Sequence, residues 1–176
     1  MWERDGRPLR SGEQLDTGLK KQARTSKMLT PCLFFPCYNH HMKHTFEYKI
    51  FYSDTDAYKV VWHGSYLRIF EMGRVLWSEM LGTKLSDLEK DNIVLPVTNI
   101  NISYKTPAML EDIVVVETSL EKYTPLYAVF KQQMFNKDTN KLLCEAFVTV
   151  VAVDGNGKLY RKLPDRMIEL FEKATK

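Results

Sequence analysis

The sequence predicts an α+β domain in which an antiparallel sheet of about five strands wraps around one long helix. Three observations lead to this fold class: a stretch with the two-residue period of a strand, a longer stretch with the period of a helix, and four later runs rich in Val, Ile, Phe and Tyr. A run of strands after a single helix is typical of an antiparallel sheet that packs one face against that helix.

The first strand is predicted where apolar and polar residues alternate. The apolar positions are Phe46, Tyr48, Ile50 and Tyr52. A two-residue period places these four side chains on one buried face of a strand. We therefore expect the strand to continue to Tyr52, immediately before the segment Asp54-Thr55-Asp56.

The long helix is predicted to begin near residues 63–65. From there the large apolar residues recur with a helical period, at Tyr66, Ile69, Phe70, Leu76, Trp77 and Met80. Gly73 lies on the same stripe, although glycine in a helix costs about 1 kcal/mol relative to alanine. We infer that the helix backbone approaches the sheet closely at Gly73.

The remaining elements follow in order along the chain. Further strands are predicted at residues 95–105, 113–122, 126–136 and 141–153. Turns at residues 106–108 and 138–140 separate them, and a short piece at 158–163 follows a glycine-rich turn. After Pro164, Asp165 is predicted to cap a closing helix.

Composition and charge narrow the functional class. The chain has 176 residues, of which 44% are hydrophobic and 27% charged, and no apolar run is long enough to span a bilayer. Its net charge is +3, and residues 1–44 alone carry +4. The rest is near neutral, which argues against binding to nucleic acid. Three cysteines form no disulfide framework and fit a reducing compartment, so we expect a cytoplasmic protein.

The N-terminal region, residues 1–44, is predicted to be a disordered extension, and residues 45–176 the folded domain. Its basic and apolar stretches do not come in the order typical of a signal peptide, whereas the sequence does not exclude an organellar transit peptide. A start at Met42 would retain the whole predicted domain. Cys32, Cys37 and the histidines at 40 and 41 match no common zinc spacing, so no metal site is expected.

The connection between the first strand and the helix carries the candidate chemistry. Asp56 lies in this connection, and His63 follows seven residues later at the mouth of the helix. The first helical turn offers unpaired N–H groups, which stabilise the oxyanion that forms when a thioester carbonyl is attacked. Asp56 is a candidate nucleophile or general base, and the sequence leaves both roles open. Turn closure is the alternative, which we favour for Asp54.

The same stretch carries a resemblance to a known family. The residues concerned are Tyr52, Asp54-Thr55-Asp56, Val60-Val61, His63, Tyr66, Glu71 and Arg74, followed by Ser103-Tyr104-Lys105-Thr106-Pro107-Ala108, Glu111-Asp112 and Val151-Ala152-Val153-Asp154. Together they resemble the signature of the hotdog-fold acyl-CoA thioesterases. The nearest groups are the 4-hydroxybenzoyl-CoA thioesterase family and the thioesterases associated with the bacterial tol-pal cluster.

The resemblance implies a hotdog fold and assigns residues to the site. It implies that Asp56 is the catalytic carboxylate, that Tyr52 and His63 take part in catalysis, and that a backbone N–H near His63 polarises the thioester carbonyl. Val61, Trp62, Lys59 and Tyr66 are candidates for contact with the substrate. Phe70, Met72 and Trp77 are candidates for an acyl pocket, although such residues on a helical stripe are more often core.

Lys59 departs from the family pattern, which has glycine three residues after the catalytic aspartate. If the turn needs a positive φ, lysine carries a steric cost that glycine avoids. Either the turn differs or the strain is tolerated. Lys59 is a candidate contact for a phosphate of coenzyme A, with a solvated surface lysine as the simpler interpretation.

The sequence therefore predicts an acyl-CoA thioesterase that releases a free acid and coenzyme A, with no cofactor. The alternative is a non-catalytic hotdog module that binds acyl-CoA or an acyl carrier as a sensor or scaffold. The nature of the acyl group is not predicted. A single sheet leaves exposed edge strands, so we expect a homodimer or a homotetramer. The family resemblance further implies that the site lies at the dimer interface, with residues 97–101 of a second chain completing the site around Asp56.

Overall fold

A computed structural model describes residues 42–175 of the chain. The elements in order are β1 (His44–Lys49), a 3₁₀ turn (Tyr52–Asp54), α1 (His63–Met80), α2 (Leu85–Lys90), β2 (Val97–Tyr104), β3 (Ile113–Tyr123), β4 (Tyr127–Asn136), β5 (Leu142–Val151) and α3 (Asp165–Ala174). The four later strands lie within two residues of their predicted bounds, because their β-branched and aromatic runs end at turn residues.

The strands form one antiparallel sheet with the order β1-β3-β4-β5-β2. Thus β1 pairs with β3, and β2 pairs with β5, which leaves β1 and β2 as the edges. Helix α1 packs across one face of the sheet and contacts β3, β1 and β4. The predicted α+β class, with a five-stranded antiparallel sheet around one long helix, is confirmed.

Gly73 is the point at which α1 lies closest to the sheet. A Cβ atom there would lie 2.6 Å from Thr118 Oγ1 and 3.1 Å from Gln132 Nε2. Both partners are buried polar side chains on β3 and β4, and Gln132 also donates to the carbonyl of Phe70 at 2.7 Å. The predicted close approach of helix and sheet is confirmed, since only a glycine leaves room for these side chains.

The first strand is shorter than its alternation predicts. Strand β1 ends at Lys49, and Tyr52 lies in the 3₁₀ turn with 81% of its surface exposed. The chain turns there because the backbone N–H of Phe51 donates to Asp54 Oδ2 at 2.9 Å. The prediction that Tyr52 shares the buried face of the strand is therefore wrong.

Helix α2 and the start of helix α3 also differ from the prediction. Helix α2 was not predicted, because six residues with one buried leucine, Leu88, show no helical period. Helix α3 begins at Asp165, with Pro164 in the cap position and no side-chain cap. The prediction that Asp165 caps this helix is wrong, since Asp165 is already its first helical residue.

The predicted extension can be compared with the structure only at its end. Residues 1–41 lie outside the described residues, and with them Cys32, Cys37 and the neighbouring histidines. Met42 belongs to the domain: its N–H donates to the carbonyl of Ala174 at 2.9 Å, and its carbonyl accepts from Trp77 Nε1 at 3.0 Å. None of the helices within residues 42–175 is long and apolar enough to cross a membrane.

Candidate active site

The connection that carries Asp56 folds into a tight turn. The N–H of Asp56 donates to the carbonyl of Val60 at 2.9 Å, and the N–H of Lys59 donates to the carbonyl of Asp56 at 2.9 Å. Lys59 closes the turn with a φ of 63°, in the left-handed region. The turn therefore keeps the conformation that favours glycine, and lysine tolerates a strain of about 1 kcal/mol.

The Asp56 side chain is partly buried, and one of its two carboxylate oxygens accepts a hydrogen bond. Oδ1 accepts a hydrogen bond from the backbone N–H of Tyr58 at 2.8 Å, which stabilises the turn. Oδ2 accepts no hydrogen bond from any residue of the described chain, 42–175. Turn closure and reactivity, the two roles that the sequence left open, are thus compatible, because each needs a different oxygen.

The N-terminus of α1 supplies uncapped donors next to this turn. Trp62 occupies the cap position in an extended conformation and makes no side-chain cap. Among residues 42–175, no acceptor pairs with the N–H groups of His63 and Gly64. These N–H groups carry the positive end of the helix dipole and suit an oxyanion or a polarised carbonyl.

A pocket of about 360 Å³ joins the turn to the start of α1. Its lining residues are Asp56, Val60, Val61, His63, Tyr66, Tyr104, Lys105, Thr106 and Pro107. Four of the predicted site residues, Asp56, Val61, His63 and Tyr66, therefore lie together. The lining thus includes Asp56, which has a carboxylate oxygen without a hydrogen-bond partner in residues 42–175, and His63, which has an uncapped N–H; acyl transfer needs groups of both kinds.

Three predicted site residues lie outside the lining of this pocket. Tyr52 lies on the exposed 3₁₀ turn, and Lys59 is exposed on the neighbouring turn. Trp62 is 50% exposed and its ring lies 4.9 Å from the ring of His63. Within residues 42–175 none of these three side chains lines the pocket, and their assigned roles stay predictions.

Tyr66 is buried and ties α1 to the loop between β2 and β3. Its hydroxyl accepts a hydrogen bond from the N–H of Ala108 at 3.0 Å, and the carbonyl of Ala108 accepts from the N–H of Val61 at 2.9 Å. Burial raises the pKa of Tyr66, so the phenol stays protonated. The tyrosine holds one wall of the pocket in place against the helix.

One wall of the pocket is formed by the end of β2 and the loop after it, through Tyr104, Lys105, Thr106 and Pro107. These residues belong to the family resemblance, but the sequence assigned none of them to the site. The Tyr104 hydroxyl donates to the backbone carbonyl of His63 at 3.1 Å. Only the downstream part of the family resemblance marked this segment, because residues 41 positions apart show no local pattern.

Asp54 has the structural role that the sequence favoured. Its carboxylate is fully buried and accepts hydrogen bonds from the Phe51 N–H, from the Tyr48 hydroxyl and from Arg68. The hydrogen bond to Tyr48 and the charge of Asp54 raise the pKa of Arg68. Because the Asp54 carbonyl also accepts from the Trp62 N–H at 2.9 Å, this cluster positions the start of α1.

Other predicted residues belong to the core. Phe70 and Trp77 are fully buried under α1, as expected for a helical stripe. Arg74, part of the family resemblance, donates to Gln132 Oε1 at 2.7 Å, and burial lowers its pKa. Cys144 on β5 is buried as predicted, and burial raises the pKa of its thiol to about 12. Arg74 and Gln132 thereby connect α1 to β4.

The model of the thioesterase-like superfamily matches residues 52–171. Acyl-CoA thioester hydrolase YbgC of Escherichia coli O6:H1 is 31% identical over 124 residues, which cover 70% of this chain and 92% of that protein. Acyl-CoA thioesterase YbgC of Haemophilus influenzae is 32% identical over 62% of this chain and 80% of its own length.

Solved structures give the same result for the fold. The DHNA-CoA thioesterase of Staphylococcus aureus superposes with a TM-score of 0.68 at 30% identity, over 74% of this chain and 89% of that chain. Slr0204 of Synechocystis, a 1,4-dihydroxy-2-naphthoyl-CoA thioesterase, has a TM-score of 0.67 at 18% identity, over 74% of this chain and 96% of its own. The predicted hotdog fold is confirmed.

Proposed function

The chain belongs to the thioesterase-like superfamily and is a thioester hydrolase, and we propose that it cleaves acyl-CoA thioesters in the pocket around Asp56. The observation that carries the proposal is that Asp56, whose Oδ2 accepts no hydrogen bond within residues 42–175, lines the same pocket as His63 at the start of α1. The names of the YbgC relatives, acyl-CoA thioester hydrolase and acyl-CoA thioesterase, support the substrate class.

The reaction adds water across the thioester bond. The carbonyl oxygen accepts hydrogen bonds from the uncapped N–H groups at His63 and Gly64, which stabilise the charge that develops on it. Asp56 either attacks the carbonyl carbon or removes a proton from the attacking water. The C–S bond then breaks, and coenzyme A leaves as a thiolate that takes up a proton. If water is the nucleophile, the acyl group is released directly as the free acid. If Asp56 is the nucleophile, the acyl group forms an anhydride with its carboxylate, and a water molecule hydrolyses this anhydride to the free acid and regenerates Asp56.

His63 has two roles in this reaction, one for its backbone and one for its side chain. Its backbone N–H belongs to the donor set, and its side chain lines the pocket. An imidazole can orient the water by a hydrogen bond or protonate the leaving thiolate. We assign the side chain to one of these steps, because it is the only imidazole within residues 42–175 that lines this pocket.

Positive charge at the rim fits the phosphates of coenzyme A. Lys105 lines the pocket and is exposed, whereas Lys59 is exposed on the turn beside it. A solvated ammonium contributes modestly to binding a phosphate. We therefore assign the phosphate contact first to Lys105, with Lys59 as a second candidate, and expect both to affect KM more than kcat.

Strand β2 suits an assembly through the sheet edge. Residues 97–101 of this edge strand are all exposed, including the apolar Val97 at 41% and Ile100 at 38%. An unpaired edge with exposed apolar residues favours pairing with a second copy, which continues the sheet. The same strand ends at Tyr104 in the pocket, so we propose a homodimer or homotetramer whose partner strand completes the site.

A panel of acyl-CoA thioesters with a thiol-detecting reagent tests the proposal. Short aliphatic, long aliphatic and aromatic acyl groups are offered to the purified protein, and free thiol is measured. We expect at least one member to be hydrolysed with saturation kinetics. Binding of acyl-CoA by calorimetry without any thiol release would instead support a non-catalytic acyl-binding module.

A further inference from the structure

Tyr104 bonds to the peptide group that presents one of the uncapped donors. Its hydroxyl donates to the carbonyl oxygen of His63 at 3.1 Å. That carbonyl and the N–H of Gly64 belong to one peptide unit, in which resonance couples the oxygen to the nitrogen. A hydrogen bond accepted by the oxygen withdraws electron density from the nitrogen, so the Gly64 N–H becomes a stronger donor.

The surroundings favour this effect. The indole of Trp62 lies over Gly64, and its ring fills the space where a Cβ atom on Gly64 would sit. The ring of Tyr66 packs edge-on against Tyr104, with 5.3 Å between the ring centres. Both rings pack against groups that take part in this hydrogen bond, which favours its geometry.

The Tyr104 hydroxyl is also suited to act as a constant donor. Burial raises its pKa, so the phenol keeps its proton over the pH range in which an aspartate and a histidine titrate. The Tyr104 side chain approaches the helix from β2, which follows α1 in the chain. Asp54, which precedes α1, accepts the hydrogen bond of the Trp62 N–H at the start of the helix. The helix N-terminus is thus fixed by two separate elements.

We propose that Tyr104 is a positioning residue that strengthens the Gly64 N–H as an oxyanion donor through the His63 carbonyl. This inference rests on the proposed function, because it deepens the account of the same site. Charge on the substrate oxygen grows from the ground state to the transition state, so a stronger donor acts mainly on kcat. If an oxyanion donor is weakened by a tenth to a third, kcat is expected to fall roughly two- to sevenfold.

The first test pairs two tyrosines with the same local bond. Tyr160 donates to the carbonyl of Asn92 at 3.1 Å, outside the pocket lining, and serves as the matched control. We expect Tyr104→Phe to lower kcat by a few-fold with KM within twofold, and Tyr160→Phe to leave both unchanged. An unchanged kcat in Tyr104→Phe would overturn the inference.

A graded series separates polarisation from simple support. Fluorotyrosines of increasing acidity replace Tyr104, and each is assayed below the pKa of its own phenol. A more acidic hydroxyl donates a stronger hydrogen bond, so kcat is expected to rise along the series. A structural role alone predicts a flat series, and that outcome would also overturn the inference even if Tyr104→Phe is impaired.

A measurement without turnover keeps this inference apart from the proposed function. The amide proton of Gly64 is followed by NMR in the free enzyme, and we expect it to move upfield in Tyr104→Phe and downfield along the fluorotyrosine series. A resonance that does not respond contradicts the polarisation of Gly64. Full activity in Asp56→Asn, in contrast, would contradict the proposed function and leave the NMR result standing.

Discussion

The backbone N–H of Lys59 donates to the carbonyl of Asp56 at 2.9 Å, in a turn that Lys59 closes with a φ of 63°. A lysine thus occupies the left-handed position that glycine takes most easily. The strain lies directly next to the carboxylate that the proposed reaction uses. Lys59 can therefore be substituted to alter the turn without changing the reacting atoms.

Lys59→Gly is expected to keep the turn and to be neutral or slightly stabilising. Glycine removes a left-handed strain of about 1 kcal/mol and adds a comparable entropy to the unfolded chain. Lys59→Val is the contrast, because a branched side chain fits this conformation poorly, and it should lower the free energy of unfolding. Denaturant unfolding measures both; a large loss in the glycine variant would show that the lysine side chain itself stabilises the turn.

Gly73→Ala tests the packing of α1 on the sheet. Helix propensity alone would make this change favourable by about 1 kcal/mol. The new Cβ would lie 2.6 Å from Thr118 Oγ1, so we expect a net destabilisation of roughly 1–3 kcal/mol instead. Thermal unfolding gives the sign, and the Gly73→Ala, Thr118→Ala double variant should cost less than the sum of the single changes.

Two shortened chains test where the domain begins. A chain that starts at Met42 should match the full chain in melting temperature and turnover. One that starts at Thr45 should be less stable by about 1 kcal/mol or more, because it lacks the carbonyl that accepts from Trp77 Nε1. Equal stability of the two shortened chains would show that the Met42 contact is dispensable, and a loss in the first would place stabilising residues before Met42.

Ile100→Glu tests the proposed assembly. The side chain is exposed on the edge strand β2, so a charge there should disrupt pairing of two edges and reduce turnover while the fold survives. Leu126→Glu, an equally apolar change at an exposed position between β3 and β4, is the control. Light scattering at assay concentration measures the assembly; a fully active monomer would contradict a site shared between two chains.

The sequence was sufficient for most of the sheet and for half of the site. The period of apolar residues, two in a strand and 3.6 in a helix, reflects which face of a single element is buried. The sequence therefore predicts the helical stripe around Gly73 correctly. Tyr52 was misplaced because an alternating pattern does not show where a strand yields to a turn. Asp54, fully buried with three donors, ends that pattern.

Contacts between distant segments account for the part of the site that was missed. Tyr104 reaches His63 across 41 positions, and Ala108 reaches Tyr66 across 42. Such contacts depend on how β2 lies beside the start of α1, which no local pattern records. Asp56 and His63, in contrast, share one connection, and a local signal was enough to bring them together.

Asp56→Asn is the most direct test of the proposed site. Asparagine keeps an acceptor for the Tyr58 N–H, so the turn should survive, but the carboxylate that attacks the thioester or activates water is lost. Asp138→Asn, the same change at an exposed turn between β4 and β5, is the control. With the best acyl-CoA of the panel, we expect thiol release to fall roughly a hundredfold or more in Asp56→Asn and to be unchanged in Asp138→Asn. Turnover by Asp56→Asn within a few-fold of the unaltered enzyme would contradict the account.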